Sequence, residues 1–409
     1  MVKDKTPGEL VACRCCGAKS FREIWNWGSQ PLCFDYRERT DSESAAAPFQ
    51  LGVGECQNCA VIQLSHPVPA KSLVPRLPWI KNKEPEGHLP RLASDLALVF
   101  TKSSLKVLLV SNFDEALGRQ LKEEMSIELT CLDPSVDLGI TQREPGQALI
   151  QKAVTDIKAD SNRSIYGKFD LVICCRMLEH AHQTRDFVAK LKIFLNSKGR
   201  LLLEIPESSK SLLQGDVGML WEEHTNYFTQ HSIKHFATAN SLTIEKTWVY
   251  EYPQEDALAV LLKPGFRNLD RPEHMPQELG MCVGYAKKLS NYVKASMLFF
   301  EELKRNYGEI VILGAGHRAI MFINLLQIAD FISAVIDDDE RKQGLFIPGT
   351  QIPIDASSRF SDGAIGACLF AIGIESEGRL MKMLDSRFDR SMKYYSISPD
   401  SPLALPMFQ

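Results

Sequence analysis

Cys13-Arg-Cys-Cys16 and Cys56-Gln-Asn-Cys59 form two C-x-x-C pairs near the start of the chain. Each pair lets two thiolates meet one metal from a tight turn, and together they complete a closed S4 shell that suits Zn2+. A closed shell leaves no open coordination position, so the expected role is structural. Reduced free thiols or a redox pair are the alternatives, and Cys15 stands where it could replace a neighbouring ligand. Cys174 and Cys175 lie in an apolar run and read as small core residues.

Two further stretches have the texture of nucleotide-type sites. In a doubly wound sheet the ligand sits outside the carboxyl ends of the strands, with a Gly-rich first turn and an acid closing the second strand. Cys131-Leu-Asp133-Pro134-Ser135 supplies that acid, but Val110-Ser111-Asn112-Phe-Asp114-Glu115 offers no glycine where the backbone would approach a ligand. Near the C-terminus Leu313-Gly314-Ala-Gly316-His317 follows an apolar run, and Ile336-Asp-Asp-Asp339 follows the next. A bulkier residue stands at the third glycine position, so the dinucleotide fingerprint is incomplete. Another phosphorylated or nucleotide-linked ligand at the helix N-terminus fits the same loop.

These groups must be held by ordered elements. Apolar runs at 106–110, 127–132, 169–175 and 199–205 alternate with amphipathic stretches at 114–124 and 185–195, and later runs fall at 242–249 and 257–262. That alternation predicts βαβ units and a doubly wound parallel sheet. Runs at 309–313, 331–336 and 367–372 predict a second one. The expected fold is therefore α/β: a zinc-stapled domain (1–70), a central domain (71–268) and a C-terminal Rossmann-like domain (309–409). Residues 71–95 carry Pro75, Pro78, Pro85 and Pro90 and read as an irregular connector or lid, and 269–308 as a helical linker.

Composition bounds the rest. The chain has 409 residues, 44% hydrophobic and 24% charged, which is globular and long enough for two to three domains. Lys+Arg 47 against Asp+Glu 51 leaves no basic excess, so nucleic acid is not an expected partner. Met1 to Leu10 is not followed by an apolar h-region, and no stretch approaches a membrane span, so a soluble cytoplasmic protein without membrane contact is expected.

In chain order stand the paired cysteines, Leu132-Asp-Pro-Ser135, Met177-Leu-Glu179-His180, Glu204-Ile-Pro206, Glu223-His224-Thr-Asn-Tyr227-Phe-Thr229, Gly314-Ala-Gly316, Lys342-Gln-Gly344 and Pro348-Gly-Thr-Gln-Ile-Pro353. This succession resembles the S-adenosylmethionine-dependent sugar C-methyltransferases, which methylate a keto carbon of a nucleotide-linked deoxysugar. The resemblance covers nearly the whole chain. It implies S-adenosylmethionine held by Ser111, Asn112, Asp114, Asp133, Pro134, Glu179 and His180. It implies a small-molecule acceptor between the central and C-terminal domains, near Trp79, His88, Trp221, Tyr227, Gly314, Gly316 and His317.

The family places a Tyr-His-Glu-His run before its Tyr-Phe pair; the matching run here is Trp221-Glu222-Glu223-His224. The resemblance makes His224 the base that removes a proton next to the keto group, with Glu223 orienting the imidazole. Histidine supplies such a base near neutral pH. The chain departs from the pattern at the glycine-free donor loop, at Trp79 to His88, and at Pro253-Gln-Glu-Asp256 in place of a Gly-Gly-Ser stretch. Those departures keep a second expectation open, a degenerate methyltransferase-like protein that binds a nucleotide-type ligand or partner.

Overall fold

The computed structural model describes residues 11–38, 47–75, 77, 85–102, 104–142, 145–157, 168–265, 280–388 and 392–409. Trp79 lies outside them. The N-terminal strands are β1 (Val11–Ala12), β2 (Lys19–Gln30), β3 (Arg37–Glu38), β4 (Phe49–Cys56) and β5 (Ile62–Leu64). Strands β1, β2, β4 and β5 pair antiparallel, and Asn226–Tyr227, far along the chain, adds the last strand against β5. The cysteine-bearing unit is thus stitched to the segment that follows His224.

Helix α1 (Leu89–Ala97) forms inside the stretch whose prolines predicted irregular chain. Pro90 falls in its first turn, where the missing N–H has no intrahelical partner to lose, so it starts the helix instead of breaking it. The central sheet follows: β6 (Leu105–Leu109), β7 (Ile127–Cys131), β8 (Phe169–Cys175), β9 (Leu195–Glu207), then β10 (Asn226–Tyr227) in the N-terminal sheet, β11 (Leu242–Tyr250) and β12 (Asp256–Pro264). Its order is β11-β12-β9-β8-β6-β7. Strands β6 to β9 are parallel, as expected, but β12 runs antiparallel to both β9 and β11. The turn between β11 and β12 is too short for a crossover, so the pair can only form a hairpin. Helices α2 (Glu115–Glu124), α3 (Gln147–Thr155), α4 (Thr184–Ile193), α5 (Ser209–Gln214) and α6 (Ser232–Ala239) connect these strands.

Helix α7 (Met281–Tyr307) leads to the C-terminal strands β13 (Glu309–Leu313), β14 (Ile332–Ile336), β15 (Leu345–Phe346), β16 (Ile354–Asp355), β17 (Ile365–Phe370) and β18 (Lys393–Ser396), with α8 (His317–Leu326) after β13 and α9 (Ile374–Phe388) after β17. The parallel order is β16-β14-β13-β17-β18. Alternation along β13 sends Ile310 and Ile312 to one core and Val311 to another. The first of these cores also holds Leu51, Ile62, Tyr285 and Ile320, so the N-terminal sheet, α7 and α8 exclude water together. Strand β15 pairs with β3 and adds a second seam. No helix among the described residues is long and apolar enough to cross a membrane.

Candidate functional site

The four cysteines of the two C-x-x-C pairs converge. Cys13 Sγ lies 3.7 Å from Cys59 Sγ and Cys16 Sγ 3.6 Å from Cys56 Sγ, and all four sulfurs lie within 4.8 Å of one another. A tetrahedral S4 shell with bonds of about 2.3 Å has edges of about 3.8 Å, so these donors fit zinc without rearrangement. Gln63 Nε2 donates to Cys13 Sγ at 2.9 Å, and the amides of Cys15 and Asn58 approach Cys13 and Cys56 at 3.3 and 3.4 Å. Donors around the sulfurs favour the thiolate form that a metal requires. Cys15 points elsewhere, its thiol toward Asn226 Oδ1 at 3.4 Å.

The turn carrying these ligands docks on the segment after His224. Arg14 Nη2 donates to the Thr225 carbonyl at 2.8 Å, and Asn240 Nδ2 to the Cys15 carbonyl at 3.0 Å. Thr225 and Asn226 in turn grip the loop after β8. Their amides donate to the Glu179 carbonyl at 2.7 and 3.1 Å, and Asn226 Nδ2 reaches the Ala181 carbonyl at 2.9 Å. This brings His180 and His224 edge to face, with ring centroids 4.9 Å apart. Both imidazoles are buried, which drives His180 well below the usual histidine range and His224 down to about 3. His224 Nε2 and His180 Nδ1 have no hydrogen-bond partner. Glu179 Oε1 stands 3.9 Å from His180 Nε2.

On its other side His224 meets Trp221 at 5.1 Å and Tyr227 at 6.4 Å between centroids, and Trp221 stacks on His317 at 4.3 Å. Asp216 fixes this junction: it caps the turn at Val217–Met219 and takes an ion pair from Arg318 at 2.9 Å. A Cβ on Gly218 would lie 3.0 Å from the Arg318 side chain, so the small residue lets the turn sit on α8. Glu222 is fully buried, accepts the Cys33 N–H at 2.5 Å and is pushed up to about 7 by desolvation. Glu223, expected to orient His224, is half-buried and offers its backbone carbonyl to His180. The ring set directly against His224 is that of His180.

The loops expected to hold the donor follow the carboxyl ends of β6, β7 and β8. Asp114 Oδ2 accepts the Ser111 amide at 2.8 Å and Oδ1 the Cys175 amide at 2.6 Å, so this buried carboxyl closes its own loop. Desolvation raises Asp114 to about 7. Asn112 is exposed, and Phe113 packs on the core below. Asp133 is exposed; its Oδ1 takes the amides of Ser135 and Val136 and the Ser135 hydroxyl, while Pro134 accepts from Ile140. His88 joins a different group, with Nδ1 2.9 Å from the Tyr252 hydroxyl and Nε2 3.2 Å from Glu204. Arg176 completes it, 3.6 Å from Glu204 and bonded to the Pro85 carbonyl. Arg176 sits at the end of β8 with φ +55°, a left-handed conformation that a long side chain rarely adopts. Sequence reasoning missed Arg176, although it directly precedes Met177-Leu-Glu-His180.

In the C-terminal loop the Ala315 amide donates to Asp337 Oδ2 at 2.8 Å, and Lys342 Nζ bridges Asp337 and the Ala315 carbonyl at 3.2 and 2.9 Å. Tyr36 also donates to that carbonyl, at 2.7 Å. Gly314 adopts φ +107°, and a Cβ there would come 2.7 Å from the Ala371 carbonyl, so close strand packing alone requires this glycine. The loop is therefore tied to its own acid, and His317 at the start of α8 is the part that stacks on Trp221.

Comparison with known proteins bears on both ends of the chain. A family model described as "Putative zinc binding domain" matches residues 13–73, and one described as "C-methyltransferase C-terminal domain" matches residues 273–364. The two ends of the chain thus match models of a C-methyltransferase family with an N-terminal zinc domain. No curated protein matches it. Among solved structures, this methyltransferase is similar to the Burkholderia thailandensis 1,6-didemethyltoxoflavin-N1-methyltransferase, at 14% identity and a TM-score of 0.31, over 43% of this chain and 78% of that one. It is also similar to the Synechocystis magnesium protoporphyrin IX methyltransferase, at 10% identity and a TM-score of 0.28, over 45% and 90%. At that distance neither bears on what this C-methyltransferase acts on. The four-cysteine shell fits the structural zinc ion that the matched zinc-binding model implies. For the donor, the exposed Asp133 keeps its second carboxylate oxygen clear of the turn contacts that occupy Oδ1, which suits a ribose hydroxyl.

Proposed function

We propose that this methyltransferase transfers a methyl group to the carbon next to a ketone in a small acceptor, with His224 as the base. The observation that carries the reading is the buried His224 Nε2, which lacks a partner where the Trp221–Tyr227 segment, the Glu179–His180 loop and the start of α8 meet. An acceptor seated against Trp221 and His317 presents its α-hydrogen to that nitrogen. Proton transfer creates an imidazolium and an enolate together, and in a dry site the two ions stabilise each other strongly. When bound, S-adenosylmethionine supplies the electrophilic methyl that the enolate carbon takes. His180, hydrogen-bonded to the Glu223 carbonyl and close to Glu179, holds the base in place.

The acceptor we favour is a nucleotide-linked keto-sugar, with the sugar at Trp221, His224 and Tyr227 and the nucleotide toward Gly316 and His317. The support is positional: His317 begins α8, whose N-terminal amides suit a phosphate, and stacks on Trp221 beside the base. A second reading has its own observation, because Asp114 closes the donor loop on itself with Phe113 packed beneath, as in a degenerate protein. Solvent deuterium exchange into the acceptor's α-carbon separates the two. Wild-type protein should exchange that hydrogen and His224→Asn should lose at least about 100-fold in rate. Unchanged exchange in the variant would remove His224 from the chemistry, and absence of S-adenosylmethionine binding would favour the degenerate reading.

A further inference from the structure

We infer that Glu179, His180 and His224 form a second metal site, which takes one divalent transition-metal ion of borderline softness such as Zn2+ or Co2+. One ligand atom from each of these three residues lies within 4.8 Å of the others, and all three residues are buried. Metal bonds to nitrogen and oxygen of about 2.0–2.2 Å bring two ligand atoms to at most about 4.4 Å apart, so small side-chain rotations close the site.

The unsatisfied atoms point the same way. Buried polar atoms without partners cost free energy, and His180 Nδ1 and His224 Nε2 are two such atoms on rings that meet edge to face. A metal ion between them would satisfy both. The other side of the His180 ring is hydrogen-bonded to the Glu223 carbonyl, the outer contact that commonly orients a ligating imidazole. The backbone is fixed as well, since Thr225 and Asn226 hold the Glu179 and Ala181 carbonyls and so set one ligand loop against the other.

Three nitrogen and oxygen ligands leave a coordination position open, unlike the four-thiolate shell. A consequence rests on the reading of His224 as the base: a bound ion occupies the base's lone pair and stops proton removal. Binding itself does not depend on that reading.

The test uses the full chain with its thiolate site filled with zinc. Titration with Co2+ should give one additional ion per chain, with visible ligand-field bands but no thiolate-to-cobalt band. Affinity should fall at least tenfold in His180→Asn and in Glu179→Gln. The Glu179→Gln variant keeps the backbone carbonyl that Thr225 and Asn226 hold, so it decides the matter where His180→Asn fails to fold. No additional ion, or equal affinity in wild type and Glu179→Gln, would overturn the site. Loss of deuterium exchange at the same Co2+ midpoint would establish the competition. Binding without that loss would leave the metal site standing and remove His224 as the base.

Discussion

The Arg14 guanidinium donates to the Thr225 carbonyl at 2.8 Å, which places a residue from inside the first C-x-x-C pair one peptide beyond His224. Arg14 is half-buried in that contact, and the neighbouring Cys15 thiol faces Asn226. The cysteine shell therefore shapes the turn that positions the segment after His224, although no cysteine belongs to the buried histidine pair.

Zinc removal is expected to abolish methyl transfer without touching the reacting groups. Free energy of metal binding is folding free energy in small thiolate units. Chelator-treated protein or Cys56→Ser should lose proton exchange at the acceptor and become protease-sensitive around residues 13–64. The central sheet should keep its S-adenosylmethionine affinity within about threefold, because the donor crevice is built from β6, β7 and β8 (affinity change well under one tenfold step). Protease mapping with donor calorimetry checks this, and parallel loss of both properties would mean that zinc supports the whole molecule.

Much of the site is local in sequence, and that part was legible. The C-x-x-C spacing identified the cysteines that converge, and the apolar runs located the parallel strands. Pairings between distant residues were not legible. Nothing near Asn226 announces that it pairs with Gln63, yet that pairing carries the zinc unit to His224. The His180–His224 contact likewise arises only when Thr225 and Asn226 bind carbonyls of the loop after β8. The neighbouring charges were not separable by sequence either: of Glu222 and Glu223, it is Glu222 that is fully buried.

Glu222 gives a pH-dependent prediction. Its carboxyl rises from 4.5 to about 7 because burial disfavours the anion. The native state thus holds a proton that the unfolded chain has released. Stability from this group is fully present below about pH 4.5 and is lost as pH rises through 7. Glu222→Gln keeps an oxygen for the Cys33 amide and removes the charge. It should be more stable than wild type by up to about 3 kcal/mol at pH 8 and equal at pH 4.5. Urea denaturation at the two pH values reads this directly, and an equal difference at both would assign the effect to packing.

The Arg318–Asp216 pair should behave as a latch between the Trp221 segment and α8. Asp216 is almost fully buried and also caps the turn at Val217–Met219, while Arg318 reaches Ser398 as well. Removing one partner of a buried pair leaves an uncompensated charge and costs roughly 3–5 kcal/mol. Arg318→Ala is expected near the lower figure, because Arg318 is partly exposed. It should raise the acceptor KM while leaving S-adenosylmethionine binding unchanged. Asp216→Asn combined with Arg318→Met should recover much of the stability, and a double-mutant cycle with no coupling would dismiss the latch.

Asp133 separates the two meanings that an acid at the end of β7 can have. Its Oδ1 holds the amides of Ser135 and Val136, so a structural role needs only an acceptor oxygen. A donor-binding role needs the charge as well, because a hydrogen bond from a ribose hydroxyl to a carboxylate is worth about 1.5–3 kcal/mol, more than one to a neutral amide. Asp133→Asn should preserve the turn and the melting temperature yet weaken S-adenosylmethionine roughly tenfold by calorimetry, whereas Asp133→Ala should lose both turn and affinity (one tenfold step being about 1.4 kcal/mol). Wild-type affinity in Asp133→Asn would reduce Asp133 to a turn residue and leave the donor to be held by the Ser111–Asp114 loop and the end of β8.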